Sequence, residues 1–187
     1  VAVLEVTPNS NVRPQMEQPT PFHQLGRFVF LFQHIEAALT DLLVHMSGGD
    51  SEAVLILVNE LEFGKRVKTT DVMFARHVDM LRPPQSAEKS EFHKLMVEVS
   101  KLAERRNEIV HSKYMRWQNV DGLEGLIRYN SELSGKKGIR EEVEEEMLPE
   151  RFEEDCNRCA LTLMALEKFR LKLIDWEYPD AAAQLQR

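Results

Sequence analysis

Cysteine is scarce in this 187-residue chain. Cys156 and Cys159 are the only two, too few for a disulfide scaffold and in keeping with a reducing compartment. Unbroken apolar runs of about 18 residues are missing, so no membrane-spanning helix is expected. No basic leader precedes an apolar core near the first residue, so no secretory signal is expected either. These absences together predict a cytoplasmic protein. Glycine-rich phosphate loops, nucleophile elbows and zinc-hydrolase motifs do not occur, so neither a cofactor nor a metal is expected. An excess of cations is lacking too: 24 lysines and arginines stand against 31 aspartates and glutamates, a net charge of −7. Taken as a whole, that balance argues against a nucleic-acid-binding protein. What is present is the make-up of one globular domain, 43% hydrophobic and 29% charged, which excludes a disordered acidic tail or a collagen-like chain.

Pro8, Pro14, Pro19 and Pro21 punctuate a polar, aperiodic start, so residues 1–20 read as an extended or disordered tail. From Phe22 the spacing becomes helical. Leu25, Phe28, Phe32, Ile35, Leu39, Leu42 and Met46 recur three or four apart until Gly48-Gly49 ends the helix. Asp50-Ser51 can cap a second helix over 51–62, although the run Ala53–Val58 would also suit a buried strand. A third helix spans 65–81 and stops at Arg82-Pro83-Pro84. A fourth runs from Ser86 to His111. Tyr114–Val120, Asp121-Gly122 and Leu123–Tyr129 then suggest a small hairpin. Ser134–Gly138 reads as a loop, and Pro149 opens a last helix reaching Tyr178. Residues 179–187 read as a frayed tail. The expected fold is all-α: an up-and-down bundle of four to five helices over 21–178, with a small irregular or hairpin insertion before the last helix.

The fourth helix carries the chemistry. Its apolar stripe reads Phe92, Leu95, Met96, Val99, Leu102, Ala103, Ile109 and Val110. At about 100° per residue, Arg106 falls near the centre of that stripe. An arginine there must be paired, or must face a cleft or interface, because burying it alone costs several kcal/mol. Asn107 and His111, one turn apart, border the same stripe. A structural reading stands beside the functional one: Arg106 pairs with Glu36 of the first helix, and His111 merely complements the helix dipole.

Arg106, Asn107 and His111, late in a helical chain whose first helix carries Phe32-Gln-His-Ile-Glu36, resemble the HEPN superfamily (higher eukaryotes and prokaryotes nucleotide-binding domains). The signature of that family is an arginine, commonly followed by asparagine, then a histidine after four to six residues. The resemblance implies a metal-independent endoribonuclease of toxin or defence type, acting as a homodimer with both motifs in one cleft. Attack of an RNA 2′-hydroxyl on the adjacent phosphate needs a base, an acid for the leaving oxygen and a cation for the added charge. Histidine suits either proton role and arginine suits the phosphate. One chain brings one motif histidine, whereas a twofold dimer brings two. His111 is thus expected as acid or base, Arg106 as phosphate stabiliser, Asn107 as a substrate-orienting group and Glu36 as a supporting residue. The alternative is a non-catalytic module that binds a nucleotide or a protein through the same pocket. The resemblance also admits an antitoxin or nucleotidyltransferase partner. In some toxin members such a partner modifies a tyrosine two positions after the histidine; Tyr114 stands three after His111, so that role is not carried over.

Other signals carry less. Cys156 and Cys159 fall on the apolar stripe of the last helix and suit core packing, since zinc needs four ligands. His23, His34, His45, His77 and His93 are scattered singly, and Lys65-Arg66-Val-Lys68 reads as a solvated helix start. The net charge, finally, is local. Residues 141–155 hold nine acidic side chains against Arg151, a net of −8, and the rest of the chain sums to +1. Residues 94–116 carry a net of +3, so the candidate site lies in the basic part and an RNA substrate remains compatible with the total.

Overall fold

The computed structural model describes residues 20–179 apart from 119, 121, 123 and 135–137. The expected tails (bar residues 20 and 179), Asp121 of the expected turn and 135–137 of the expected loop lie outside the described residues. The chain is mainly α, with helices α1 (Pro21–Ser47), α2 (Ser51–Asn59), α3 (Phe63–Met80), α4 (Lys89–Val110) and α5 (Pro149–Glu177), and a short 3₁₀ turn at Ser86–Glu88 before α4. Between α4 and α5 lie three strands, β1 (Lys113–Gln118), β2 (Glu124–Ser134) and β3 (Ile139–Met147), in one antiparallel sheet of order β1-β2-β3.

Local chemistry sets the helix ends. Thr20 Oγ1 accepts the His23 amide at 3.2 Å while Pro21 occupies the first turn, so α1 starts where its first free N–H is met. Gly48, at φ 61°, closes α1 in the left-handed conformation that glycine adopts without strain. Asp50 Oδ1 takes the Glu52 amide at 3.0 Å and starts α2. The run Ala53–Val58 is therefore helical rather than a buried strand, and only Val58 of α2 is buried.

α1 packs chiefly on α5, and α3 on α4. Their shared core contains Phe28, Phe32, Ile35, Leu39, Phe74, Phe92, Leu102, Leu166 and Phe169. Phe74 stacks on Phe92 with centroids 3.8 Å apart, and Phe169 meets both edge-on at 5.4 and 5.0 Å. Cys156 and Cys159 are buried free thiols in the same core, and burial pushes the Cys159 thiol up to about 12, which keeps it unreactive. Among the described residues α1 alone is long and apolar enough to cross a membrane. Gln33, His34 and Glu36 interrupt its apolar sequence, and in this fold its apolar face lines the bundle core.

The insertion departs from expectation. A hairpin was expected, and β1 and β2 do pair antiparallel from Lys113↔Tyr129 to Gln118↔Glu124. But β2 is longer, and β3 adds a third strand, from Leu126↔Met147 to Ser134↔Ile139, where the sequence suggests only a loop and an acidic approach to α5. A second small core of Leu126, Met147 and Phe152, with Leu25 and Tyr114 against it, seats the sheet on the bundle.

Candidate functional site

Arg105 and Arg106 are neighbours on α4 whose side chains go to different sides. Arg105 turns to the sheet and α5. Its Nε donates to Asp155 at 2.8 Å, its two terminal nitrogens clasp both oxygens of Glu145 at 2.8 Å, and one also reaches Glu108 at 3.1 Å. Arg128, inward on β2, donates to the same Glu145 at 2.8 Å, to the Glu108 carbonyl at 3.3 Å and to Ser112 Oγ at 3.2 Å. Burial alone would raise the Glu145 carboxyl, but the hydrogen bonds and charges of Arg105 and Arg128 outweigh it and hold the group at about 2. The acidic segment therefore has a structural task at Glu145 and Asp155. Together with Arg128 on the Glu108 carbonyl of α4, it fixes the helix end that carries the candidate residues.

Arg106 is not a core residue. Instead of lying in the core, it is half-exposed at the end of the stripe, where Val110 also emerges into solvent. The expected ion pair with Glu36 does not form among the described residues. One guanidinium nitrogen donates to Asn107 Oδ1 at 3.2 Å, and the charge sits 5.9 Å from the centroid of the Phe32 ring. The apolar stripe keeps its phase along α4, but near its C-terminus the covered side swings towards Leu102, Arg105 and Ile109, because the sheet and α5 pack there.

The vacated side opens onto a cleft of about 460 Å³ between α1, α3 and α4. Glu36, Arg106 and Asn107 all line it, together with Phe32, Arg66 and Glu104. His111 does not. It forms the exposed C-cap of α4, where its amide donates to the Asn107 carbonyl at 3.0 Å. Its ring belongs to a smaller pocket of about 270 Å³ with Lys113, Tyr129 and Arg140. The expected convergence of Arg106, Asn107 and His111 thus holds for the first two only, since a histidine at the cap leaves the helix path before it can reach back over the stripe.

Arg66 is a structural group. It is not a solvated helix start: its guanidinium donates to the Val58 and Leu61 carbonyls at 3.2 and 3.4 Å and to Thr40 Oγ1 at 3.4 Å, and its Nε is buried without a partner. It ties the end of α2 to the cleft wall. Its spacing from Phe63, Val67 and Thr70 on the inward stripe of α3 was the available signal. Tyr114 is a structural group: its hydroxyl donates to the Ile109 carbonyl at 2.9 Å, and burial pushes it up to about 12.

Three of the scattered histidines lie against carboxylates across the fold: His77 hydrogen-bonds Glu177 at 2.6 Å and His93 Asp71 at 2.7 Å, while His45 Nε2 lies 3.0 Å from Glu177 without hydrogen-bond geometry. Among the described residues no group of three or more histidine, cysteine or acidic side chains is placed to hold a metal ion. Chemically, the cleft offers the Arg106 guanidinium for an anion such as phosphate, Arg66 being committed to the Val58 and Leu61 carbonyls and Thr40, and the carboxylates of Glu36 and Glu104 for polar contacts, with an imidazole one turn outside it. No protein-family model, curated protein or solved structure matches the chain.

Proposed function

We propose that the chain is a HEPN-like, metal-independent endoribonuclease whose Arg106 and His111 meet across a homodimer interface. The observation that carries this reading is the contrast between adjacent arginines. Arg105 is clasped by three carboxylates, whereas Arg106, beside it, has no ion pair among the described residues and lies over an aromatic ring at the rim of an open cleft. A guanidinium held this way is ready to take a phosphate through paired hydrogen bonds.

His111 lines a separate pocket, so one protomer does not complete the site. In the homodimer, the His111 side chains of the two protomers act as base and acid on the 2′-hydroxyl and the leaving 5′-oxygen, Arg106 steadies the phosphate, and Asn107 and Glu36 orient the strand. The apolar flank beside the cleft supports a second copy. Ile56 and Leu57 of α2 are 60% and 68% exposed, and Arg66 holds that helix end to the cleft wall. Within this reading α1, α3, α4 and α5 run as an up-and-down bundle, and the protein works in the cytoplasm.

The test is incubation of the purified protein with mixed RNA in EDTA. Cleavage is expected, with losses of about 10²-fold or more in His111→Ala and in Arg106→Ala. The distance of His111 from the cleft favours a second reading, in which the cleft binds a nucleotide without cleaving it. Mononucleotide binding that is lost in Arg106→Ala, with no RNA cleavage, is the result that selects it.

A further inference from the structure

The sheet has an inward and an outward face. Leu126 and Arg128 of β2 are buried towards the helices, so Gly125, Ile127, Tyr129 and Ser131 fall outward. The register extends that face across the neighbours. Lys113 and Glu144 flank Tyr129, Met115 and Glu146 flank Ile127, and Trp117 lies beside Gly125. The Trp117 ring rests directly on Gly125: a Cβ there would come within 2.6 Å of the indole. The result is a strip of Met115, Trp117, Ile127 and Tyr129 bordered by Glu142, Glu144 and Glu146 on β3. Met115 is 59% exposed, and the three glutamates are exposed. Glu142 lies 3.6 Å from Arg140, while Glu144 and Glu146 have no ion pair among the described residues.

We propose that this outward face is a docking surface for a basic protein segment, one that sets lysine or arginine side chains beside an apolar anchor. Charge complementarity selects this occupant. Glu145 of the same strand already serves the fold from the inward side, so the outward carboxylates are not needed to neutralise Arg105 or Arg128. A row of carboxylates beside an apolar strip repels nucleic-acid phosphates and attracts cations. A second copy of the chain would bring a second acidic row to the same face, which disfavours self-association there. The apolar strip supplies the contact that charge alone does not. This inference does not rest on the ribonuclease reading, because neither Arg106 nor the cleft takes part, although the face meets the His111 pocket at Tyr129 and Glu142.

The full chain is titrated with a synthetic peptide alternating lysine with leucine, while the indole N–H resonance of Trp117 is followed by NMR. A glutamate–leucine peptide and a single-stranded RNA oligonucleotide serve as comparisons. The lysine peptide is expected to shift the Trp117 signal, and the two comparisons are not. Affinity is expected to fall roughly tenfold in Glu144→Lys/Glu146→Lys, whose side chains are exposed and leave the fold intact, to fall in Met115→Ser, and to stay unchanged in Arg106→Ala. An unshifted Trp117 signal, equal affinity in the double reversal, or the RNA occupying the face in place of the peptide would overturn the proposal. If the glutamates serve only to keep the edge strand from pairing with other chains, the titration shows no peptide binding at Trp117.

Discussion

Two consecutive arginines do opposite work. Arg105 is a structural cation, fully engaged by Glu145, Asp155 and Glu108; replacing it with methionine takes the 2.8 Å partner from the buried Asp155 and leaves Glu145 to Arg128 and Arg151, and should cost about 3 kcal/mol in chemical denaturation. Arg106→Ala should cost less than about 1 kcal/mol, since it removes one neighbour hydrogen bond and one ring contact. The Arg105 network also sets an acid limit. Glu145 is held near 2 against an ordinary value of 4.5, so its charged form is favoured by folding. The stability it adds is present above pH 4.5 and is lost as pH falls from there through 2. That contribution should be roughly 2–3 kcal/mol. Unfolding of the wild type and Glu145→Gln at pH 6 and at pH 2 should show a gap between them that narrows in acid. In the sequence, Arg106 stood out by its phase on the α4 stripe. The pairing of Arg105 was not legible, because its partners lie 40 and 50 residues away on β3 and α5.

The helices were legible because caps, glycines and prolines mark their ends locally: Gly48, Asp50, Arg82-Pro83-Pro84 and Pro149 all fall within a few residues of observed boundaries. β3 was not legible. Its inward positions include the charged Glu145 beside Val143 and Met147, so the apolar alternation that announces a half-buried strand is broken by the residue that neutralises Arg105 and Arg128. The sheet itself gives a test at this scale. Gly125→Ala places a methyl carbon 2.6 Å from the Trp117 ring, so the indole must swing away or the strands must part. A loss of about 1–3 kcal/mol is expected, with a shifted tryptophan emission; unchanged emission and stability would contradict the packing of Trp117 on Gly125.

At the scale of the whole molecule, the net charge of −7 resolves into parts with different tasks. Glu145 and Asp155 are internal counter-charges, while Glu142, Glu144 and Glu146 face outward on the edge strand. The cleft with Arg66 and Arg106 lies on the side of α4 away from that network. Completing the proposed site needs a second protomer, so Leu57→Glu on the apolar flank should give a folded monomer by sedimentation and should abolish RNA cleavage without altering the melting curve by more than about 1 kcal/mol. The most direct measurement is the chemistry of the RNA ends after incubation in EDTA. Ends bearing a 2′,3′-cyclic phosphate, formed by the wild type and lost in His111→Ala, are the expected result. Intact RNA, or the same ends at the same rate without His111, would contradict the proposed reaction.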